Sequence, residues 1–436
     1  MTNGKYIFVF VRDIFSVNRY SSTMQKRFSL FFLLLFLTGT AFSQQKELKA
    51  DLDPLLKLPD AYKLTPDDLP KLFKKGNWSK NPYFKYLRKD KTRAIFQKKD
   101  APNLKVELSI LGGTVPVEEL IVDFKDGKFL GITISIYNRG DGGSIDSSEF
   151  DRRFKVVGKY IGEALAIRPT KKEARPKQGM LTEGFVWISA RGKAVLEHNP
   201  EAMKSSNFEF LRMRLAIRNA PGAYETATKT RAGANVKLSE LPKNVRRKDG
   251  SVYVDNIPMV DQGSKGYCVV ASAQRLFEYY GIPCDMHQLA EIAGADPERG
   301  TSSITTNKEL GAIDHLFKLR FTCLAVGHQG GLVELRDNRY VGAEVTEKTF
   351  HKMIHKSIDA GIPLLWSLGL GEYKEEPAIS PQANGGHMRM IIGYNDQKKR
   401  VIFSDSWGAG HEFKTMDAHD TYRATHGLFL MKPTTR

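Results

Sequence analysis

The sequence predicts an α+β protein in two parts: a small domain made of an antiparallel sheet with one long helix, then a second, two-lobed α+β domain from residue 251. Alternating apolar and polar runs dominate residues 106–217, and a single helical-period run, Phe150, Phe154, Val157, Ile161 and Leu165, interrupts them. Past residue 251 a helix is expected after Cys268, and strands around His387 and Asp405. A chain of 436 residues, 41% hydrophobic and 26% charged, has the composition of a globular protein long enough for two domains.

At the N-terminus, Lys26-Arg27 precede an apolar run from Phe28 to Leu37, and Ala41-Phe42-Ser43 supplies small residues for cleavage. That is the pattern of a signal peptide, and the run is too short to span a bilayer. Residues 1–43, with a probable upstream extension before Met24, are therefore set apart from the fold, and an exported protein is expected, whether periplasmic, extracellular or at the cell surface.

In the mature N-terminal part, Thr65-Pro66-Asp67-Asp68 reads as a helix start: a hydroxyl cap, proline in the first turn, then acids against the dipole. A strand is expected over Val106–Leu111, then a hairpin of Leu120–Phe124 and Phe129–Tyr137 around Asp126-Gly127. Asp146 and Glu149 have capping-box spacing for a helix from Ser147. Strands Gly184–Ser189, Lys193–His198 and Phe208–Ile217 follow. Asn138–Glu149 has a faint likeness to a calcium loop, but Gly140 and Gly142 stand where ligands belong, so a turn into a capped helix is the reading. Residues 219–250 lack apolar periodicity and are expected to be a basic linker.

The net charge of +17 is concentrated in residues 44–250, since 251–436 hold 20 Lys/Arg against 22 Asp/Glu. A nucleic-acid partner is not expected; an anionic cell-surface polymer is the counterpart that a basic half of an exported protein would meet. Of three cysteines, Cys284 and Cys323 lie in apolar surroundings and are expected buried, although a disulfide between them stays open. That leaves Cys268 as the reactive thiol, and no cofactor or metal site is expected.

Cys268 begins Val-Val-Ala-Ser-Ala-Gln-Arg-Leu-Phe-Glu-Tyr-Tyr280, a helix stopped by Gly281-Ile282-Pro283. A sulfur at the first turn faces free backbone N–H groups and the positive dipole end, both of which favour thiolate. Gln262, a neutral donor six residues before it, can join the Cys268 N–H in an oxyanion hole. His387 opens a strand, and Asp405 follows the next strand, so an antiparallel pair would set them side by side. Gly386 and Trp407 are expected beside the substrate. His315, His351 and His355 lie on helix-like segments and are expected in surface or packing roles.

Gln262-Gly263-Ser264-Lys265-Gly266-Tyr267-Cys268, His387 with Gly393-Tyr394, Asp405-Ser406-Trp407-Gly408 and Gly427-Leu428-Phe429 together resemble the papain-like cysteine peptidases. Cys268-x-x-Ala271 and Tyr279-Tyr280-Gly281 look most like the bacterial branch that removes double-glycine leaders. The resemblance implies Cys268 as nucleophile, His387 as base, Asp405 as its orienter, Gln262 as oxyanion donor and Trp407 as a shield over the His–Asp hydrogen bond. Asp405 stands where papain-like enzymes carry asparagine, which should raise the histidine pKa, and Val269 stands where they carry tryptophan. The expected activity is hydrolysis of a peptide or protein substrate. The alternatives are a cell-wall peptide amidase or acyltransferase with the same triad, and an inactive peptidase-fold binding protein.

Overall fold

The computed structural model describes residues 45–175, 177, 181–229, 233, 234, 236–295, 311, 312, 314–336, 340–378 and 384–435. The expected leader, residues 1–43, lies outside them. Residues 45 and 46 with 101–103 form a small unit, in which the Gln45 side-chain amide donates to the Ala101 carbonyl at 2.7 Å. Residues 47–100 and 104–435 form a second, much larger unit that carries both halves of the sequence.

The first half of this larger unit holds an eight-stranded antiparallel sheet in the order Phe84–Tyr86, Arg93–Gln97, Glu119–Lys125, Lys128–Asn138, Phe210–Ala216, Gly192–His198, Glu183–Ser189, Thr170–Lys172. The hairpin expected at Asp126-Gly127 forms, and both residues take positive φ (52° and 72°), the backbone that a two-residue turn between twisted strands requires. Helix Ser147–Leu165 begins where the capping spacing puts it: the Asp146 carboxylate accepts from the Glu149 N–H at 2.9 Å. Phe150, Val157, Ile161 and Leu165 are buried in the core of this half, which confirms the helical period as a packing face.

The first expected helix is shorter than its start signal suggests. Thr65 and Asp68 form the capping box, but only a 3₁₀ turn, Pro66–Asp68, and one α turn, Leu69–Leu72, follow. The calcium-like stretch is a helical turn, Arg139–Gly142, capped by the Asn138 side chain accepting from the Asp141 N–H at 2.9 Å.

The second half is built on a sheet with eleven strands among the described residues. Through its centre run Leu319–His328, Thr425–Pro433, Leu364–Leu370, Gly385–Asn395, Arg400–Ser404 and Lys414–Asp417, each pair antiparallel. Helices Cys268–Tyr279, Met286–Ala293 and Glu347–Asp359 contribute buried side chains to the same core.

One expectation needs correction. The presumed linker is partly structured: Leu238–Asn244 is a 3₁₀ segment, and Val245–Lys248 forms a hairpin with Ser251–Val254 that joins the sheet beside Gly385–Asn395. Its exposed arginines are paired, Arg247 with Asp359 at 2.8 Å and Arg246 with Asp255 at 3.7 Å. The first half keeps its own sheet and its own apolar core, and it is ion-paired to the second. Arg93 donates to both Asp123 (2.6 Å) and Glu278 (2.7 Å), Lys265 pairs with Asp141 (2.7 Å), Lys85 pairs with Asp261, and Arg212 pairs with Asp285. These ion pairs pass through charged residues of both halves, which periodicity cannot read.

Candidate active site

The two motifs that lie more than 120 residues apart in the chain meet as a short antiparallel ladder. The Gln262 N–H donates to the Ser406 carbonyl at 2.9 Å and the Gly408 N–H to the Val260 carbonyl at 3.1 Å, with Asp261 bridging Trp407 between them. Gly408 has φ +76°, and a Cβ there would stand 2.9 Å from the Asp261 carboxylate, so the glycine of the second motif is what lets the first approach.

Cys268 is the first residue of its helix, half-buried, and its N-cap, Tyr267, makes no side-chain capping bond. The helix is buried almost all round, as a central helix should be. Arg275, two turns on, fixes it against the sheet: its guanidinium donates to the Pro258 carbonyl (2.8 Å), the Asp405 carbonyl (3.0 Å) and the Ser404 hydroxyl (2.7 Å). One buried arginine thus ties the helix that carries the sulfur to the strand end that carries the carboxylate.

His387 stands opposite Leu368 in the sheet, and Met390 opposite Ser404, so the histidine strand and the strand before Asp405 run side by side as the sequence implies. The His387 Nε2 lies 2.7 Å from Asp405 Oδ1, which leaves Nδ1 for Cys268. The Ser406 N–H donates to the same carboxylate oxygen at 2.8 Å. Trp407 stacks on the imidazole, ring centroids 4.4 Å apart and planes 20° from parallel. Gly386, exposed one residue before the histidine, has open space where a side chain would be.

The Gln262 side chain is buried and oriented at both ends: its carbonyl accepts from the Ser406 hydroxyl at 2.6 Å and its amide donates to the Lys265 carbonyl at 2.9 Å. An amide nitrogen has two hydrogens, so one remains for another acceptor.

The electrostatics arise from these contacts. Burial works against an imidazolium at His387, but the Asp405 carboxylate, and then the Cys268 sulfur, outweigh it and push the pKa up to about 9. Burial likewise opposes a thiolate at Cys268, yet the hydrogen bond and charge of His387 hold its pKa below the ordinary value. Asp405, although fully buried, is kept ionised by His387 and Arg389. The other two thiols are pushed up by burial, Cys323 to about 12, so neither is a nucleophile at neutral pH.

The remaining histidines sit in other roles. His355 stacks on Tyr394 at 3.8 Å, His351 lies 3.7 Å from Glu347, and His315 is exposed in a 3₁₀ turn. Sequence reasoning missed Ser406, Arg275 and Arg389. Arg389 carried a readable signal, since residues two apart on a strand share a face and it stands two after His387. Arg275 had none, because an arginine in an apolar helical run carries no mark of its partner.

Residues 254–428 match the model of the Peptidase_C39 like family. No curated protein matches the chain. Among solved structures, xylellain, a cysteine protease from Xylella fastidiosa, aligns at 11% identity over 47% of this chain and 92% of its own, with a TM-score of 0.27. The stretch that carries Gln262, Cys268, His387 and Asp405 is thus similar in sequence to the Peptidase_C39 like family.

Proposed function

We propose that this chain is an exported cysteine peptidase that cleaves peptide bonds with Cys268, His387 and Asp405, with Gln262 as oxyanion donor. The observation that carries this reading is the unbroken line from a helix-tip sulfur through an imidazole to a buried carboxylate. The Cys268 thiolate attacks the scissile carbonyl carbon, and the carbonyl oxygen takes up negative charge facing the Gln262 amide and the Cys268 N–H. His387 gives its proton to the departing amine as the C–N bond breaks, leaving a thioester on Cys268. Water then attacks the thioester, His387 takes a proton from it, and the acid leaves as the thiolate is restored. Asp405 holds the ring so that both transfers use the same nitrogen.

Export rests on the Lys26-Arg27, apolar-run and Ala41-Phe42-Ser43 pattern. The excess of basic residues over 44–250 favours one second reading, the same chemistry on cell-wall peptides. Incubating the purified protein separately with unfolded protein and with purified peptidoglycan distinguishes them: new peptide termini from the first are the expected result, and release from peptidoglycan alone would transfer the activity to wall peptides.

Two further outcomes test the site. Gln262→Ala should lower kcat by about 10²–10³ with KM little changed, because the donor acts on charge that develops in the transition state. An unchanged kcat would remove Gln262 from the oxyanion hole. The pH profile of kcat/KM should rise on an acid limb below the ordinary cysteine value and fall as pH passes about 9, where His387 loses the proton that the leaving amine needs. An alkaline limb near 6.5 would mean that Asp405 exerts no hold on the ring.

A further inference from the structure

Behind Asp405 lies a row of buried charges that no step of the peptide cleavage uses. Asp405 has two oxygens: Oδ1 faces His387, and Oδ2 accepts from Arg389 Nε at 2.7 Å. Arg389 Nη1 in turn donates to Glu375 Oε2 at 2.5 Å, and the other Glu375 oxygen accepts from Lys414. From the sulfur outward the signs alternate: thiolate, imidazolium, carboxylate, guanidinium, carboxylate, ammonium. None of the last four is open to water, with side-chain exposures of 0% for Asp405 and Arg389, 7% for Glu375 and 1% for Lys414.

The sheet builds this row. His387 and Arg389 share a face of Gly385–Asn395, while Glu375–Glu376 pairs with Lys414–Asp417, which pairs with Arg400–Ser404. Arg389 is also clasped between aromatic rings, its guanidinium carbon 4.7 Å from the Phe403 centroid and 5.8 Å from that of Trp407, the ring that stacks on His387.

With His387 and the Ser406 N–H both on Oδ1, Asp405 would otherwise keep a buried Oδ2 with no donor, able to swing about χ2 and costly to hold ionised. A planar guanidinium on its second oxygen removes both problems, provided that the guanidinium is itself held. Glu375 and Lys414 hold it. We propose that Arg389, anchored by Glu375 and Lys414, is a positioning residue that locks Asp405 against His387 and sets, through that carboxylate, the pH range in which Cys268 and His387 form an ion pair. This rests on the peptidase reading for its purpose, but not for its test.

The charged and titratable groups around Asp405 are few. His387 and Arg389 face its oxygens, Arg275 of the cysteine helix binds its backbone carbonyl, and His411 lies within electrostatic reach of Asp405, Arg389, Glu375 and Lys414. Burial, and then Lys414, hold His411 towards the neutral form, so besides the His387 imidazolium the cations that oppose Asp405 are Arg389 and Arg275. Removing the Arg389 charge leaves Asp405 less opposed and takes a cation away from the thiolate, and both changes move ionisation of Cys268 to higher pH.

The test follows the rate of iodoacetamide alkylation at Cys268 against pH, read by mass spectrometry on the full chain, which needs no knowledge of the substrate. Arg389→Met should move the midpoint of the acid limb upward by about half to one pH unit, and Arg389→Lys, which keeps the charge but not the fork, should restore it. Peptide turnover by Arg389→Lys should stay below wild type, because a point charge does not fix the carboxylate plane. Should Arg389→Met fail to fold, the triple replacement of Arg389, Glu375 and Lys414 by methionine removes the buried charges together, a change that cores tolerate, and the same upward shift is expected. An unmoved midpoint in whichever of the two folds, or the same shift in Arg389→Lys as in Arg389→Met, overturns the proposal. Failure of the wild type to cleave any peptide would instead sink the peptidase reading, with the alkylation profile still deciding the role of Arg389.

Discussion

Cys268→Ala should abolish peptide turnover, lowering kcat/KM by about 10⁴–10⁶, and leave the melting temperature where it was. The loss is that large because nucleophile, base and orienter act as a unit, and an imidazole without a sulfur has no bond to make. Stability is spared because alanine is the best helix former and the sulfur is only half-buried, at the first turn of its helix. The matched controls are Cys284→Ala and Cys323→Ala. Both thiols are buried and held protonated, so either replacement should leave turnover within a fewfold of wild type. Activity assays on the three purified variants, with circular dichroism to verify the fold, decide it. Residual turnover in Cys268→Ala within tenfold of wild type would assign the chemistry to another group.

What could be read from residues alone was whatever repeats at short range or carries an uncommon chemical pattern. The helix from Ser147 begins at the expected residue because Asp146 and Glu149 mark it and its four buried apolar residues repeat at 3.6. The contact of His387 with Asp405 was legible because a short turn between antiparallel strands leaves little freedom in where their ends lie. The turn at Asp126-Gly127 was legible for the same reason. The misses have different causes. Val245–Lys248 turns through Asp249-Gly250, both at positive φ (51° and 75°), into Ser251–Val254, so the turn carried the same mark as Asp126-Gly127 and went unread among exposed basic residues. Arg275 is a buried cation whose meaning comes from the groups that it touches. Long-range electrostatic pairing has no period, so it leaves no local signature, and the docking of the first half onto the second was hidden with it.

The largest effect on stability is expected at Glu197, in the docking region itself. This carboxylate is fully buried in Gly192–His198 and accepts from Arg212 Nη2 at 2.7 Å, from Arg212 Nε at 3.0 Å, from the Thr182 hydroxyl at 2.8 Å, and from Lys172 and Arg214. Glu197→Ala would leave three buried cations with Asp285 as their remaining anion among the described residues. An uncompensated buried charge costs about 3–5 kcal/mol, so urea unfolding should show a loss of that size. Glu197→Gln, which keeps an acceptor but not the charge, should fall between the two. The dependence on pH has a fixed sign. Burial opposes ionisation of Glu197, but Lys172, Arg212 and Arg214 hold its pKa well below the ordinary 4.5. Its contribution is therefore present in full above 4.5 and is lost as pH falls through the lower, folded value, so the gap between wild type and variant should be constant at neutral pH and narrow only in acid. The consequence reaches the site through the arginines, because Arg214 donates to the Pro283 carbonyl at 3.1 Å and Arg212 pairs with Asp285, just past the end of the cysteine helix. Turnover by Glu197→Ala should therefore fall at temperatures where the variant is still folded, since the segment that ends that helix has lost its anchor. A variant as stable as wild type in urea would mean that the three cations find water or another anion, and that the first half holds the cysteine helix by other contacts, such as Arg93 with Glu278.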